Sequence, residues 1–367
     1  MSDPRVTKLA QVLIHYSLEL KPGDQLILQT SPLAQELNLA VYEEAVKAGA
    51  HITARNQIPG AAEIFYKYAS DEQLAHVSPV QRLIFEKFDA MLNIGAFYNT
   101  RELSGVDPER QRLAGQAGAD LRKIFMERIA TRDLRWCYTV FPTQASAQEA
   151  DMSLREYEEF VYGAGQLNET DPVAKWQAEA ARQQKLIDWL AGKDNVVIKG
   201  SNVDLQMSIK ERSFRQAAGK ENFPDGEIYT SPVEESVNGW IRFGYPAIFS
   251  GREVTDIELW FEDGKVVKEK ASKGQELLTS LLNTDDGSRI LGELGIGTNY
   301  GIQKFTKNML FDEKIGGTIH LAVGAGFPEA GSKNESGLHW DMLCNMDESE
   351  ITVDGELFYK NGKIVVE

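Results

Sequence analysis

Residues 21–55 read KPGDQLILQTSPLAQELNLAVYEEAVKAGAHITAR. The Pro-Gly turn at Pro22-Gly23 leads into a short apolar run, Gln25 to Gln29, bounded as a buried strand is. From Leu33 the apolar residues recur at helical spacing until Gly49 stops the pattern, and His51 to Arg55 follows as a second strand. Strand, helix and strand make one βαβ unit, which commits this part of the chain to a parallel sheet.

The alternation extends in both directions. Thr7 to Leu18 carries a helical pattern ahead of the unit. After it come strand-like Ala90 to Phe97, a helical stretch from Pro108 to Ile129, and a strand from Arg135 to Phe141. Strands separated by helices imply a parallel sheet covered on both faces. Helix starts are expected at Thr143 and at Ser153, the latter with Glu156 in a capping box. A polar helix from Pro172 to Leu190 ends before Gly192, where the domain boundary is expected. The fold class is thus α/β: a Rossmann-like parallel-sheet domain over residues 1–192. No GxGxxG or GxxxxGK[ST] follows the first strand, so a nucleotide cofactor has no phosphate loop to bind.

Residues 193–367 have a different texture, with many short strands and turns. Asp263-Gly264 and Asn361-Gly362, each between alternating apolar residues, signal hairpins. One helix is expected from Gln275 to Leu282, resuming from Asp286 to Leu291. The second domain is therefore mainly antiparallel β, an α+β unit. Trp240, Phe243, Tyr245 and Phe249 fit the packing of such a sheet better than the lining of a pocket.

Composition narrows the function. The 367 residues carry a formal net charge of -16, the wrong sign for nucleic acid or an anionic membrane. The opening MSDPRVTKLAQVLIHYSLEL has no signal-peptide pattern, and no window is apolar enough to span a bilayer. A cytoplasmic protein is expected. Cys137 and Cys344 lack the spacing of a disulfide framework or a thiolate zinc site and read as buried apolar residues.

Chemistry concentrates between Phe311 and Met342, FDEKIGGTIHLAVGAGFPEAGSKNESGLHWDM, which holds two of the five histidines. In a strand, residues two apart share a face, so His339 and Asp341 aim an imidazole and a carboxylate into one space. His320 shares a strand face with Thr318 and Ala322. A lone strand histidine is more often a hydrogen-bonded core residue than a ligand. Imidazole with carboxylate is nevertheless the usual donor set for a divalent ion that activates water, and paired ions need further carboxylates. Glu227, just after the Pro224-Asp225-Gly226 turn, and Glu293, expected at a helix end between Gly292 and Gly295, are the acids in unusual local settings. Each alone is more commonly an ordinary surface acid.

Several motifs in one order resemble the M29 metallo-aminopeptidases, the aminopeptidase T and S group, over essentially the whole chain. The carriers are KPGDQLILQ, VYEEAVKAGA, QEADMSLREYEEFVY, PDGEIYTSPVEESVNG, ELWFEDGKVV, LLNTDDGSRILGELGIG, MLFDEKIGGTIHLAVG and SGLHWD. The resemblance implies an exopeptidase that releases N-terminal amino acids from short peptides with a free N-terminus, using a water or hydroxide activated by two divalent ions. Zinc, cobalt, manganese and magnesium all remain open. Matched residue by residue, it assigns Glu227, Glu293, His320, His339 and Asp341 as metal ligands, and it implies a homodimer. The family's tyrosine seven positions after the strand histidine is Phe327 here, which removes a hydrogen-bond donor from catalysis. Tyr229 and Tyr300, from elsewhere in the chain, are the candidate substitutes, while Glu329 and Glu335 are the loop acids available as general base or acid. Two other readings compete: a two-domain small-molecule binding protein without catalysis, and a metal-dependent amidase of non-peptide substrates.

Overall fold

The computed structural model describes residues 3–366, which fall into two compact units: 3–173 with Gly219–Pro224, and Ala174–Ala218 with 225–366. The division differs from the boundary expected at Gly192. The helix Pro172–Leu190 lies almost wholly in the second unit, where buried Gln183 bonds to the Ala217 carbonyl at 2.9 Å and to Thr298 Oγ1 at 3.1 Å. Helical periodicity marks a helix but does not name the sheet it packs on.

The first unit holds a five-stranded sheet, parallel throughout, in the order His51–Asn56, Gln25–Thr30, Ala90–Gly95, Arg135–Val140, Asn222–Phe223. The expected βαβ unit is present, with its helix at Gln35–Lys47. The fifth strand arrives from far downstream, and Ser17 Oγ ties that returning segment down by donating to the Gly219 carbonyl at 2.6 Å. Leu26, Ile27, Leu28, Met91 and Leu92 are buried, as interior parallel strands require. Coverage of both faces does not extend to the edge: every residue of His51–Asn56 except Ile52 is exposed.

Two expected helices differ in detail. The N-terminal one is α-helical over Pro4–Gln11 and widens to a π-helix over Val12–Ser17, with Val12, Leu13, Ile14 and Tyr16 buried. The stretch from Pro108 forms two helices, Pro108–Ala117 and Ala119–Ala130, that meet at Gly118. The capping box at Ser153 and Glu156 forms as read, opening Leu154–Ala164.

In the second unit an eight-stranded antiparallel sheet runs in the order Lys265–Lys270, Ile257–Glu262, Asn238–Phe243, Val203–Ser208, Asn195–Gly200, Ser349–Val353, Glu356–Lys360, Lys363–Ile364. Both hairpin turns are where their sequences put them. A second antiparallel sheet has the order His339–Asn345, Thr318–Gly324, Leu291–Gly297, Glu227–Thr230, Arg215–Ala217. Ile228, Leu294, Ile296, Ile319, Leu321, Trp340 and Met342 turn one face of this sheet into a core shared with Ile198, Leu205, Ile241, Phe243 and Leu259 of the larger sheet.

Gln275–Leu282 is helical, but residues 286–289 are turn, Ile290 forms an isolated bridge to Lys265, and Leu291–Gly297 is a fully buried strand. Glu293 therefore sits mid-strand and not at a helix end. Gly292, Gly295 and Gly297 hide the strand in the sequence, since glycine is a poor strand former. Each is demanded by a neighbour: a Cβ would lie 2.3 Å from the Ala325 oxygen, 1.9 Å from His320 Nε2 and 2.1 Å from the Ile315 oxygen, respectively.

Candidate metal centre

The face opposite the apolar core carries the chemistry. Alternation places Glu227 and Tyr229 there from one strand, and Glu293, Gly295 and Gly297 from the next. The following strands add His320, Ala322 and Gly324, then His339 and Asp341. Registers align them: Glu293 pairs with Ala322, which pairs with Asp341, while Gly295 pairs with His320 and Gly324 with His339. The residues between the functional ones are alanine and glycine, so long polar side chains from four strands converge over a shallow floor.

All five residues singled out in the sequence meet there. His320 Nε2 lies 3.1 Å from Glu227 Oε2 and 3.3 Å from Glu293 Oε1. The other oxygen of Glu293, Oε2, lies 3.2 Å from His339 Nε2, and Asp341 Oδ2 is 3.7 Å from the same nitrogen. Glu293 thus touches both histidines, one through each oxygen. Glu227, Glu293 and His320 are buried; His339 is exposed and Asp341 half-buried, so the cluster opens to solvent on its His339 side.

Hydrogen bonding leaves this cluster incomplete. A single Nε2–H on His320 can serve one acceptor, and it is paired with Glu293. Glu227 Oε2, Asp341 Oδ1 and His320 Nδ1 are buried without any hydrogen-bond partner. Buried polar atoms are normally satisfied. Ligands bound at about 2.0–2.1 Å in a tetrahedral shell stand roughly 3.3 Å from one another, and the four imidazole–carboxylate distances here lie between 3.1 and 3.7 Å. Three groups of donor atoms lie within 4.8 Å of one another: Glu227, Glu293 and His320; Glu293, His339 and Asp341; and Glu313, His320 and Asp341. Nitrogen and oxygen donors at this spacing fit a divalent ion, and Glu293 is common to two of the groups. His339 is oriented for the purpose, because its Nδ1 is 2.8 Å from the Ala325 carbonyl. A carbonyl only accepts, so Nδ1 carries a proton and Nε2 is the nitrogen turned to the cluster, able to bind a cation once its own proton leaves.

The electrostatics are those of crowded carboxylates and imidazoles. Burial raises Glu227 to about 8 against the opposing pull of Lys314. Burial also raises Glu293, but hydrogen bonds from His320 and His339 outweigh it and hold that acid at about 2. Both histidines resist the lowering effect of burial and rise to about 10. Glu227 and Glu293 are responsible at His320, Glu293 and Asp341 at His339. Asp341 is pushed up to about 6, chiefly by burial. Without a cation the site stores protons, which a bound divalent ion would replace.

Other sequence candidates fall elsewhere. Glu329, in the short 3-10 turn Pro328–Ala330, and Glu335, on the wall of a cavity of about 900 Å³ with Asp286 and Lys333, belong to none of the donor groups. The Tyr300 hydroxyl donates to the Gly362 carbonyl at 3.2 Å. Phe327 packs against His339, with ring centroids 5.3 Å apart, and against Tyr229 at 4.9 Å. Two residues not foreseen are Glu313 and Lys314. Lys314, wholly buried, pairs with Glu227 Oε1 at 2.6 Å, with Asp225 at 3.6 Å and with Glu313. In the sequence these are ordinary members of a charged run, Asp312-Glu313-Lys314, and nothing in their pattern marks them.

Clustered imidazole and carboxylate donors of this kind are the donor set that metal-dependent hydrolases use. A family model described as thermophilic metalloprotease (M29) matches residues 2–364. The chain is 25% identical to aminopeptidase 2 of Geobacillus stearothermophilus, over 98% of this chain and 95% of that one. It is 27% identical to aminopeptidase T of Thermus thermophilus, over 97% and 95%. The solved structure of wild-type AmpT from Thermus thermophilus superposes with a TM-score of 0.86 over 99% of both chains, at 24% identity. The chain belongs to the M29 metallopeptidase family.

Proposed function

We propose that this protein is an aminopeptidase that removes N-terminal residues from short peptides at a centre of two divalent ions. The observation that carries the reading is Glu293, whose two oxygens face different histidines and stand in two adjoining donor groups. Glu227 and His320 complete the deeper group, and His339 and Asp341 the outer one. Divalent ions held there would lower the pKa of a water and polarise the scissile carbonyl. The names of the relatives, all aminopeptidases, support the same reaction.

The chain's own residues supply the rest. Asp341 and Glu313 add negative charge near the outer group, suited to the positive α-amine of a peptide. Glu313, half-buried beside Lys314, is a carboxylate placed to hold a proton during turnover. The Phe327 ring beside His339 gives the opening an apolar wall for the substrate's side chain and excludes water there.

The reading extends to assembly and compartment. Ile58, Ile64, Tyr68, Val80 and Leu83 are exposed in the first unit, near an open edge strand in sequence, and support self-association as a homodimer. Cys137 and Cys344 are buried thiols, as suits the reducing cytoplasm, and no helix among the described residues is long and apolar enough to cross a membrane.

The test uses matched dipeptides with free and N-acetylated amines, assayed with added zinc, cobalt or manganese. An aminopeptidase cleaves only the free amine. Equal turnover of both would assign the centre to a different amidase.

A further inference from the structure

Lys314 lies just beyond the Met309–Asp312 helical turn, and its side chain is 0% exposed. Lysine is almost never fully buried unless it is paired, and this one is paired three times, with Asp225, Glu227 and Glu313. Two of those acids belong to the donor groups of the metal centre. The pairing is directional at Glu227: the ammonium takes Oε1 at 2.6 Å, while Oε2 is turned towards His320 Nε2 and has no hydrogen bond.

The consequence concerns which cation fits. The pocket holds five acids, Asp225, Glu227, Glu293, Glu313 and Asp341, against two imidazoles. Such a set would suit calcium, which takes about six to eight oxygens and accepts both oxygens of one carboxylate. Zinc and cobalt take fewer ligands, with nitrogen among them. By occupying one oxygen of Glu227 and pairing with Glu313, the ammonium cuts the oxygens on offer while leaving both histidines untouched.

We propose that Lys314 is a positioning residue that sets the cation selectivity of the centre: it restricts Glu227 to a single oxygen and so favours small nitrogen- and oxygen-bound ions over calcium. This rests on the metal-centre reading above. The simpler role for Lys314, charge compensation alone, makes a different forecast. Loss of one positive charge would strengthen binding of zinc and calcium alike and leave their ratio unchanged.

The experiment is calorimetric titration of chelator-stripped protein with zinc and, separately, with calcium, for the wild type and Lys314→Met, with circular dichroism to verify folding. The zinc-to-calcium affinity ratio should shrink by about tenfold or more in the variant. A variant that folds and keeps the wild-type ratio overturns the proposal while leaving the metal centre intact. Failure of the wild type to bind either ion in stoichiometric amount overturns the metal centre itself, and this inference with it. Should Lys314→Met not fold, a crystal structure of zinc-soaked wild type decides. Glu227 with one oxygen towards the ion and the other still on Lys314 supports the proposal; both oxygens on the ion overturn it.

Discussion

His320 and Glu227 stand on strands that do not touch, yet His320 Nε2 and Glu227 Oε2 are 3.1 Å apart across the intervening Leu291–Gly297 strand. They meet because the residue beneath the imidazole is Gly295, where any Cβ would lie 1.9 Å from Nε2. Gly295→Ala should therefore displace the ring, costing roughly 1–3 kcal/mol in stability as overpacking does and weakening zinc binding. Gly163→Ala, in the Leu154–Ala164 helix with open space around it, should instead stabilise by about 0.5–1 kcal/mol and leave zinc binding alone. Urea melts and zinc titrations of both variants check the contrast.

Glu293 and Glu227 should differ in what their loss removes. Glu227 belongs to one donor group and Glu293 to two. Glu227→Ala should release one ion and keep the other, whereas Glu293→Ala should release both. Elemental analysis of dialysed proteins reads the difference directly, and equal losses would show that Glu293 does not bridge.

Metal should add more stability at high pH than at low pH. In the stripped protein His320 and His339 rise from 6.5 to about 10. Their contribution is complete below about pH 6.5 and is lost as pH climbs through 10. Glu227, raised to about 8, acts in the same direction up to that pH, because the folded state holds a proton the unfolded chain releases, whereas Asp341, raised to about 6, has its effect below this range. The melting temperature in chelator should fall between pH 6.5 and 10. Divalent ions need the imidazoles neutral, so the rise in melting temperature on adding zinc should grow over the same window. A zinc-induced rise that shrinks with pH would contradict the assignment of these histidines as ligands.

Phe327 stands where the sequence resemblance leads one to expect a tyrosine, and its ring packs on His339. Phe327→Tyr should restore a donor near the reacting carbonyl and raise kcat by about tenfold with little change in KM. Steady-state kinetics on one dipeptide suffices, and an unchanged kcat would mean that the hydroxyl of a residue at this position does not reach the chemistry.

What the sequence made legible follows from periodicity. The βαβ unit, both hairpin turns and the Ser153 capping box were readable because pattern and turn chemistry agree. Alternation alone put His339 with Asp341. Bringing Glu227 and Glu293 to them required the family resemblance, since strand order is not written in local pattern. The Glu293 strand was misread because glycines, required there by His320 and its neighbours, imitate a helix end. Asn222–Phe223 joins the parallel sheet as a strand of two residues, too short to leave a signal. Lys314 sits in an ordinary charged run, and only the three carboxylates folded around it reveal a buried cation.

The most direct measurement is a zinc titration of the stripped enzyme in which bound metal and release of the N-terminal residue from an unblocked dipeptide are followed together. Two ions per chain should bind, with activity rising as they do, and His339→Ala should lose both metal and activity with its fold intact. Full hydrolysis in the stripped protein, or stoichiometric zinc binding without hydrolysis of any free-amine dipeptide, would contradict it.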